Sequence, residues 1–326
     1  MIDFAFATRL CGLAAAAVLL ATAAVAESEP SWKVFDERAD RTTPAVADAM
    51  LKLANVTAKD FVYDLGCGDG VIVVTAAKRY GAKGFGIDIN PELVARAKAN
   101  AEKDGVADKT TFVEGDLYKA DLKPATVITL FLWPSMNVRL RPRLLDLAAG
   151  VRIVSHEHDM GKWTPDRTLY VHNKDWGRLP LYLWIVPARI AGDWQLSADG
   201  AEIELKLEQA YQRFQGSATI GGRKHRVRNG RLDGAKITFD VVMANGKKKR
   251  YSGIATSEDA IEGSGWPCFR RSALVRGKGM KEPTMLYSSS AAPSSGTLKF
   301  QPVYVASGTW ISGRRMPASS LPSGST

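Results

Sequence analysis

The chain has 326 residues, 45% hydrophobic and 24% charged, and a formal net charge of +10. That balance permits at least one sizeable core, and the length suits two domains. With three cysteines, a disulfide framework is excluded.

Taken in order, Leu10 to Ala26 is almost wholly apolar, with Arg9 before it and Ala24-Val-Ala26 followed by Glu27. This pattern reads as a signal peptide over residues 1–26, cleaved after Ala26, and predicts a periplasmic or secreted protein. An uncleaved leader would just span a bilayer, so a membrane-anchored chain is the alternative, and the only one that implies membrane contact. Phe61-Val-Tyr-Asp-Leu-Gly-Cys-Gly-Asp-Gly70 follows: an apolar run ends in an acid, and three glycines come at two-residue spacing. The pattern predicts strand, tight turn and helix. Gly66, Gly68 and Gly70 can take positive φ and leave no Cβ against a ligand, and the new helix offers unpaired N–H groups. A dinucleotide site requires G-x-G-x-x-G for its pyrophosphate. Here the spacing is G-x-G-x-G after Asp64, an acid that would repel a pyrophosphate but suits a ligand with a free ammonium group.

Val71 to Tyr80 reads as a helix closed by Gly81. Gly84 to Asn90 is a second buried strand ending in Asp88, with Pro91 opening a helix to about Lys103. An acid at that strand end can accept both hydroxyls of a ribose. Thr110 to Leu117 is a third strand ending Gly-Asp-Leu, in which Asp116 could also be no more than a turn cap. Ala125 to Trp133 is a fourth, followed by Pro134-Ser-Met-Asn137. Gly150 to Ser155 is the fifth, and Arg167 to Val171 and Leu181 to Val186 an antiparallel sixth and seventh. Strands alternating with helices predict a mainly parallel α/β sheet, whose ligands bind beyond the carboxyl ends of the strands. Asp64, Asp88 and Asp116 fall at three such ends.

With these pieces in place, the chain closely resembles the class I S-adenosylmethionine (SAM)-dependent methyltransferases. The resemblance implies a Rossmann-like seven-stranded methyltransferase sheet over residues 33–190 and SAM as the cofactor. It implies that Asp64 and the Gly66, Gly68 and Gly70 loop hold the methionine and ribose part, and that Asp88 holds the ribose. Asp116, with Leu117 beside it, would hold the adenine, and Trp133 and Pro134 would face the transferred methyl group. Thr43-Pro44, Val62 to Gly70, Leu130-Phe-Leu-Trp-Pro134 with Asn137 and Leu140-Arg-Pro142, and Arg152-Ile-Val-Ser-His156 with Met160-Gly161 and Trp163 narrow the likeness. Together they resemble bacterial relatives of the mitochondrial lysine methyltransferases acting on ATP synthase and nucleotide carriers. That implies Thr43 among the cofactor residues and a protein lysine as methyl acceptor. Aromatic walls at Trp133 and Trp163 would desolvate such an amine and lower its pKa. An exported domain sits awkwardly with a cofactor made in the cytosol.

Cys67 lies at a helix start, where it reads as a small side chain filling the turn. His156, His158 and Asp159 suggest a metal, but no third well-placed ligand follows and none is expected. From Gly192 the pattern changes to period-two stretches with hairpin signals at Gly221-Gly222, Asn229-Gly230 and Asn245-Gly246. They predict a small antiparallel β domain over 191–268, a meander or half-barrel ending near Trp266, and then a disordered tail over 269–326. Basic residues from Arg223 to Arg231 and from Lys247 to Arg250 would suit an acidic partner. No aromatic stripe accompanies them, so nucleic acid is not expected. The competing function is a non-catalytic exported SAM-fold scaffold that binds partners through this basic region. The sequence is silent on oligomeric state.

Overall fold

The computed structural model describes residues 42–173, 177–198, 201–263 and 266–271. The expected leader, the side chain of Cys268 and the expected tail from 272 onward lie outside them.

The sheet contains β1 (Phe61–Leu65), β2 (Lys83–Asp88), β3 (Thr110–Glu114), β4 (Val127–Leu130), β5 (Arg152–His156), β6 (Arg167–Asn173) and β7 (Gly177–Ile185), in the order β3-β2-β1-β4-β5-β7-β6. Strands β1 to β5 run parallel, and β7 is antiparallel to both β5 and β6. This is the Rossmann-like seven-stranded sheet the sequence predicts. Its order reverses between β1 and β4, where a doubly wound sheet opens its crevice.

Local chemistry sets most of the flanking helices. α1 (Pro44–Leu53) starts on Thr43, whose Oγ1 accepts from the Val46 amide at 3.3 Å. α3 (Pro91–Lys103) starts on Asn90, whose Oδ1 accepts from the Glu92 and Leu93 amides. Both carry proline at the first helical position, where the missing N–H is no loss. α2 (Val71–Tyr80) begins on Gly70 and ends on Gly81, both left-handed.

One helix departs from expectation. The fourth strand is shorter than the apolar run, because the chain leaves the sheet at Phe131 and Pro134 opens α4 (Pro134–Leu145). Pro142 lies inside this helix and removes a backbone donor. Tertiary contacts hold it: Arg141 donates to the Met160 carbonyl at 2.9 Å, and Arg143 donates to the Leu117 and Tyr118 carbonyls.

The second half forms a closed barrel, not an open half-barrel. Its strands are β8 (Gly192–Ala198), β9 (Ala201–Ala210), β10 (Arg213–Ile220), β11 (Arg223–Asp233), β12 (Lys236–Val242), β13 (Lys248–Ser257), β14 (Ala260–Gly263) and β15 (Trp266–Arg271). Closure comes from β15 running on to Arg271 and pairing there with β8. Arg271 donates to the Arg189 carbonyl and lies over the Trp194 ring at 5.0 Å. Closure also removes free strand edges. Asn229-Gly230 is not a hairpin turn. It is a bulge inside β11, with Asn229 at φ 55° and the register jumping between Arg228 and Arg231. Gly230 presses on β10 there: a Cβ would stand 2.2 Å from the Phe214 carbonyl oxygen. The chain turns instead at Gly234, φ 58°.

Trp163, expected to wall the acceptor pocket, is fully buried between sheet and barrel. Its indole N–H donates to Gln212 Oε1 at 3.1 Å, its carbonyl accepts from the Trp184 indole at 2.7 Å, and its ring stacks on Tyr211. Gln212 Nε2 donates to the Thr164 carbonyl, and Arg231 pairs with Asp166 at 3.0 Å. A buried Trp truncated to Ala loses packing and leaves a cavity. Trp163→Ala should therefore destabilise the fold by about 3–5 kcal/mol in urea unfolding. An unchanged unfolding midpoint would show that this junction carries no stability.

Candidate functional site

The glycine turn is tied to the next strand through its backbone. The Gly66 and Cys67 amides both donate to the Ile87 carbonyl, at 2.8 and 3.0 Å. The Gly68 amide donates to Asp88 Oδ2 at 2.8 Å, while Asp88 Oδ1 accepts from the Asn90 amide at 2.9 Å. The Asp88 carbonyl accepts from the Gly115 amide at 2.9 Å, which brings the end of β3 to the same edge.

The three glycines serve different ends. Gly70 is a packing glycine, since a Cβ there would stand 2.8 Å from the Phe112 ring and 2.9 Å from Ala97. Gly66 would press on Leu132 at 2.9 Å. Gly68, at φ 52°, faces open space with no atom within 4 Å of an added Cβ. That cradle is where a ligand can lie against the backbone. Beneath it, burial pushes the Cys67 thiol well above the ordinary thiol range, which fits filler and not nucleophile.

Asp64 is 3% exposed. Thr129, the residue paired with it across to β4, donates to Asp64 Oδ1 at 2.8 Å. Among the described residues no basic side chain forms an ion pair with Asp64. Burial, against the opposing Thr129 bond and with help from the Asp88 and Asp69 carboxylates, pushes its pKa up to about 7. A buried acid of this kind is stabilised by an arriving cation and repels a pyrophosphate.

The other expected residues lie close by, in more varied roles. Asp116 follows β3, and its Oδ1 accepts from the Tyr118 amide at 2.9 Å, so it does close a turn. Arg143 braces that turn from α4, and Leu117 packs on the main core. Ile89, next to Asp88, is 56% exposed, an apolar face at the pocket edge that the sequence reading missed. Thr43 is exposed and occupied as the α1 cap, whereas Thr42 is buried with Oγ1 3.4 Å from His156 Nδ1. Trp133 and Pro134 stand exposed at the start of α4, with the Trp133 ring stacked on His158 at 5.8 Å. Thr129 went unnoticed, and His156 was read only as part of a motif and as a metal candidate, since only the strand order brings the two to this edge. Among the described residues, no group of three or more His, Cys, Asp or Glu side chains could hold a metal.

The whole edge is therefore acidic, open above Gly68 and apolar at Ile89 and Trp133. Those features fit a nucleoside with a positive amino-acid end. Comparison with known proteins finds methyltransferases. The family model for the ANTKMT methyltransferase domain matches residues 64–167. A protein-lysine N-methyltransferase of Saccharolobus islandicus is 40% identical over 147 residues, which are 44% of this chain and 91% of that protein. The adenine nucleotide translocase lysine N-methyltransferase of Mus musculus is 33% identical over 103 residues, 31% of this chain; the match spans 45% of the mouse protein. A crystal structure of an RNA methyltransferase from Salinibacter ruber in complex with S-adenosyl-L-homocysteine shows 47% identity and a TM-score of 0.44, covering 46% of this chain and 96% of that one.

Fold and site thus define a class I SAM-dependent methyltransferase. Within that class, the chain belongs to the methyltransferase family represented by the ANTKMT domain model and the Saccharolobus islandicus relative.

A pH dependence follows from Asp64. Its folded pKa, about 7, lies above the ordinary carboxylate value of 3.8. Between these values the folded chain keeps a proton that the unfolded chain has lost, so stability falls as pH rises through that window. Melting of the ligand-free protein from pH 5 to 8 should show this decline, and Asp64→Asn should flatten it. An equally steep decline in the variant would assign it to other groups.

Proposed function

We propose that this enzyme methylates a lysine side chain of a protein, with SAM held at the carboxyl ends of β1, β2 and β3. The observation that carries the cofactor placement is the open backbone at Gly68 between the Asp64 and Asp88 carboxylates. Asp64 and the turn from Gly66 to Gly70 receive the amino-acid end, and Asp88 the ribose hydroxyls. Asp116, Leu117 and the exposed Ile89 receive the adenine. When bound, SAM would supply an electrophilic methyl carbon to an amine lone pair, the C–S electron pair staying on sulfur. Thr43 stays among the cofactor residues through its place at the start of α1 beside Thr42.

Support for a lysine acceptor comes from the relatives, whose names specify lysine N-methylation. The site adds an exposed aromatic, Trp133, next to the cofactor edge. An aromatic face attracts an ammonium group and, by excluding water, favours the neutral amine that can react. Positioning is the chief contribution the protein can make to such a displacement.

Asp88→Ala should weaken S-adenosylhomocysteine binding in calorimetry by about 10- to 100-fold, through loss of charge-assisted hydrogen bonds. Labelling an extract with methyl-tritiated SAM and the purified enzyme, followed by mass spectrometry, should then find the methyl group on lysine. Full affinity in the variant would overturn the cofactor placement. Label confined to nucleic acid or small molecules would overturn the lysine reading.

A further inference from the structure

The sheet edge beside the cofactor turn holds a side chain that no other feature explains. Asp64, Thr129 and Val154 are cross-strand neighbours on β1, β4 and β5. Alternation along β5 places His156, two residues beyond Val154, on the same face as Asp64 and Thr129, while Gly66 and Phe131 lie just past the ends of β1 and β4. His156 therefore stands on the strand two places from β1, about 10 Å across the sheet, with Phe131 packed against its ring.

His156 is 3% exposed, and its Nε2 has no hydrogen-bond partner although it is shut off from water. A buried nitrogen left without a partner is uncommon and points to strain, a missing water or a functional task. The other nitrogen, Nδ1, is within 3.4 Å of Thr42 Oγ1. If Nδ1 carries the proton and donates to Thr42, Nε2 presents a bare lone pair. Burial, then the charge of His158, holds the ring neutral, with a pKa of about 4.

A row of packed rings runs from His156 to the surface. His156 packs on Phe131 at 4.3 Å between ring centroids, Phe131 lies 6.2 Å from His158, and His158 stacks on Trp133 at 5.8 Å. The outer end, Trp133, is 53% exposed. The loop bearing His158 is held in place by α4: Asn137 Nδ2 donates to Ser155 Oγ and to the His158 and Asp159 carbonyls, at 3.2 to 3.3 Å. A slender alkyl amine suits a row of π faces with a polar acceptor at its inner end.

We propose that His156 Nε2 accepts an N–H hydrogen bond from the methyl-accepting amine, which reaches it along the Trp133, His158 and Phe131 rings. This rests on the lysine reading above and assigns to that site the residue that aims the amine. The ammonium gives its proton to bulk water on leaving solvent. The neutral amine then donates one N–H to Nε2, which fixes the direction of its lone pair. His156 acts by orienting the amine and keeps no proton, in line with its neutral, weakly basic ring.

His156→Phe keeps a ring against Phe131 and removes both nitrogens. With S-adenosylhomocysteine affinity and melting temperature unchanged, turnover on a lysine acceptor found by labelling should fall by about 100-fold, the usual effect of losing orientation, mainly in kcat. His156→Gln, which places an amide oxygen near Nε2, should recover part of it. In the unmodified protein saturated with S-adenosylhomocysteine, Nα-acetyl-lysine methylamide should shift the nitrogen-15 resonance of His156 Nε2; this readout needs neither turnover nor a folded variant. Parent-like kcat in His156→Phe, or an Nε2 resonance that the lysine amide leaves unmoved, overturns the proposal without touching the lysine reading. A parent that binds S-adenosylhomocysteine yet methylates no amine overturns both.

Discussion

The bond from the Gly68 amide to the Asp88 carboxylate governs the geometry of this molecule's working edge. It pins the turn after β1 to the end of β2, and the Gly66 and Cys67 amides reinforce it through the Ile87 carbonyl. With the turn drawn toward β2, the backbone at Gly68 is left facing open space. Side chains could not have produced this, because φ there lies in the left-handed region and any Cβ would project into the cradle.

Charge is managed around that bond in an unusual way. Asp64 is buried beside two other carboxylates and, among the described residues, is compensated by one hydroxyl, from Thr129. Such an arrangement is unfavourable in the empty protein and is relieved by a bound cation, so part of the binding selectivity is built into the resting state. Two neighbouring parts of the site share this logic. The unpartnered Nε2 of His156 and the exposed ring of Trp133 are each poorly satisfied on their own. Neighbouring elements support them: α4 braces the turn at Asp116 through Arg143 and the His158 loop through the Asn137 amide nitrogen. Trp163 and Gln212 fasten the barrel to the loop that precedes β6.

The barrel itself is built from long-range pairing. Its interior, with Trp194, Phe214, Phe239 and Phe269, forms a core separate from those of the sheet. Asp240 accepts from both Asn229 and Arg250, so a bulge and a neighbouring strand converge on one carboxylate. The basic residues of β11 thus lie along a continuous strand with a kink, where the sequence suggested two strands and a turn.

The local parts of this protein could be read from the sequence alone. Glycine spacing, caps such as Asn90 and Gly81, and acids at the ends of apolar runs depend on neighbours within a few residues, and the β1–α2–β2–α3–β3 segment follows from them. What depends on strand order could not be read that way. The Asp64–Thr129 bond spans 65 positions, and Thr42 meets His156 across 114. Trp163 looked like a pocket wall and became a buried joint, α4 formed in spite of Pro142, and Asn229-Gly230 became a bulge, because packing outweighed local preference at each. The cofactor edge was therefore largely legible, whereas the row of rings from His156 to Trp133 forms only once β4 and β5 lie side by side.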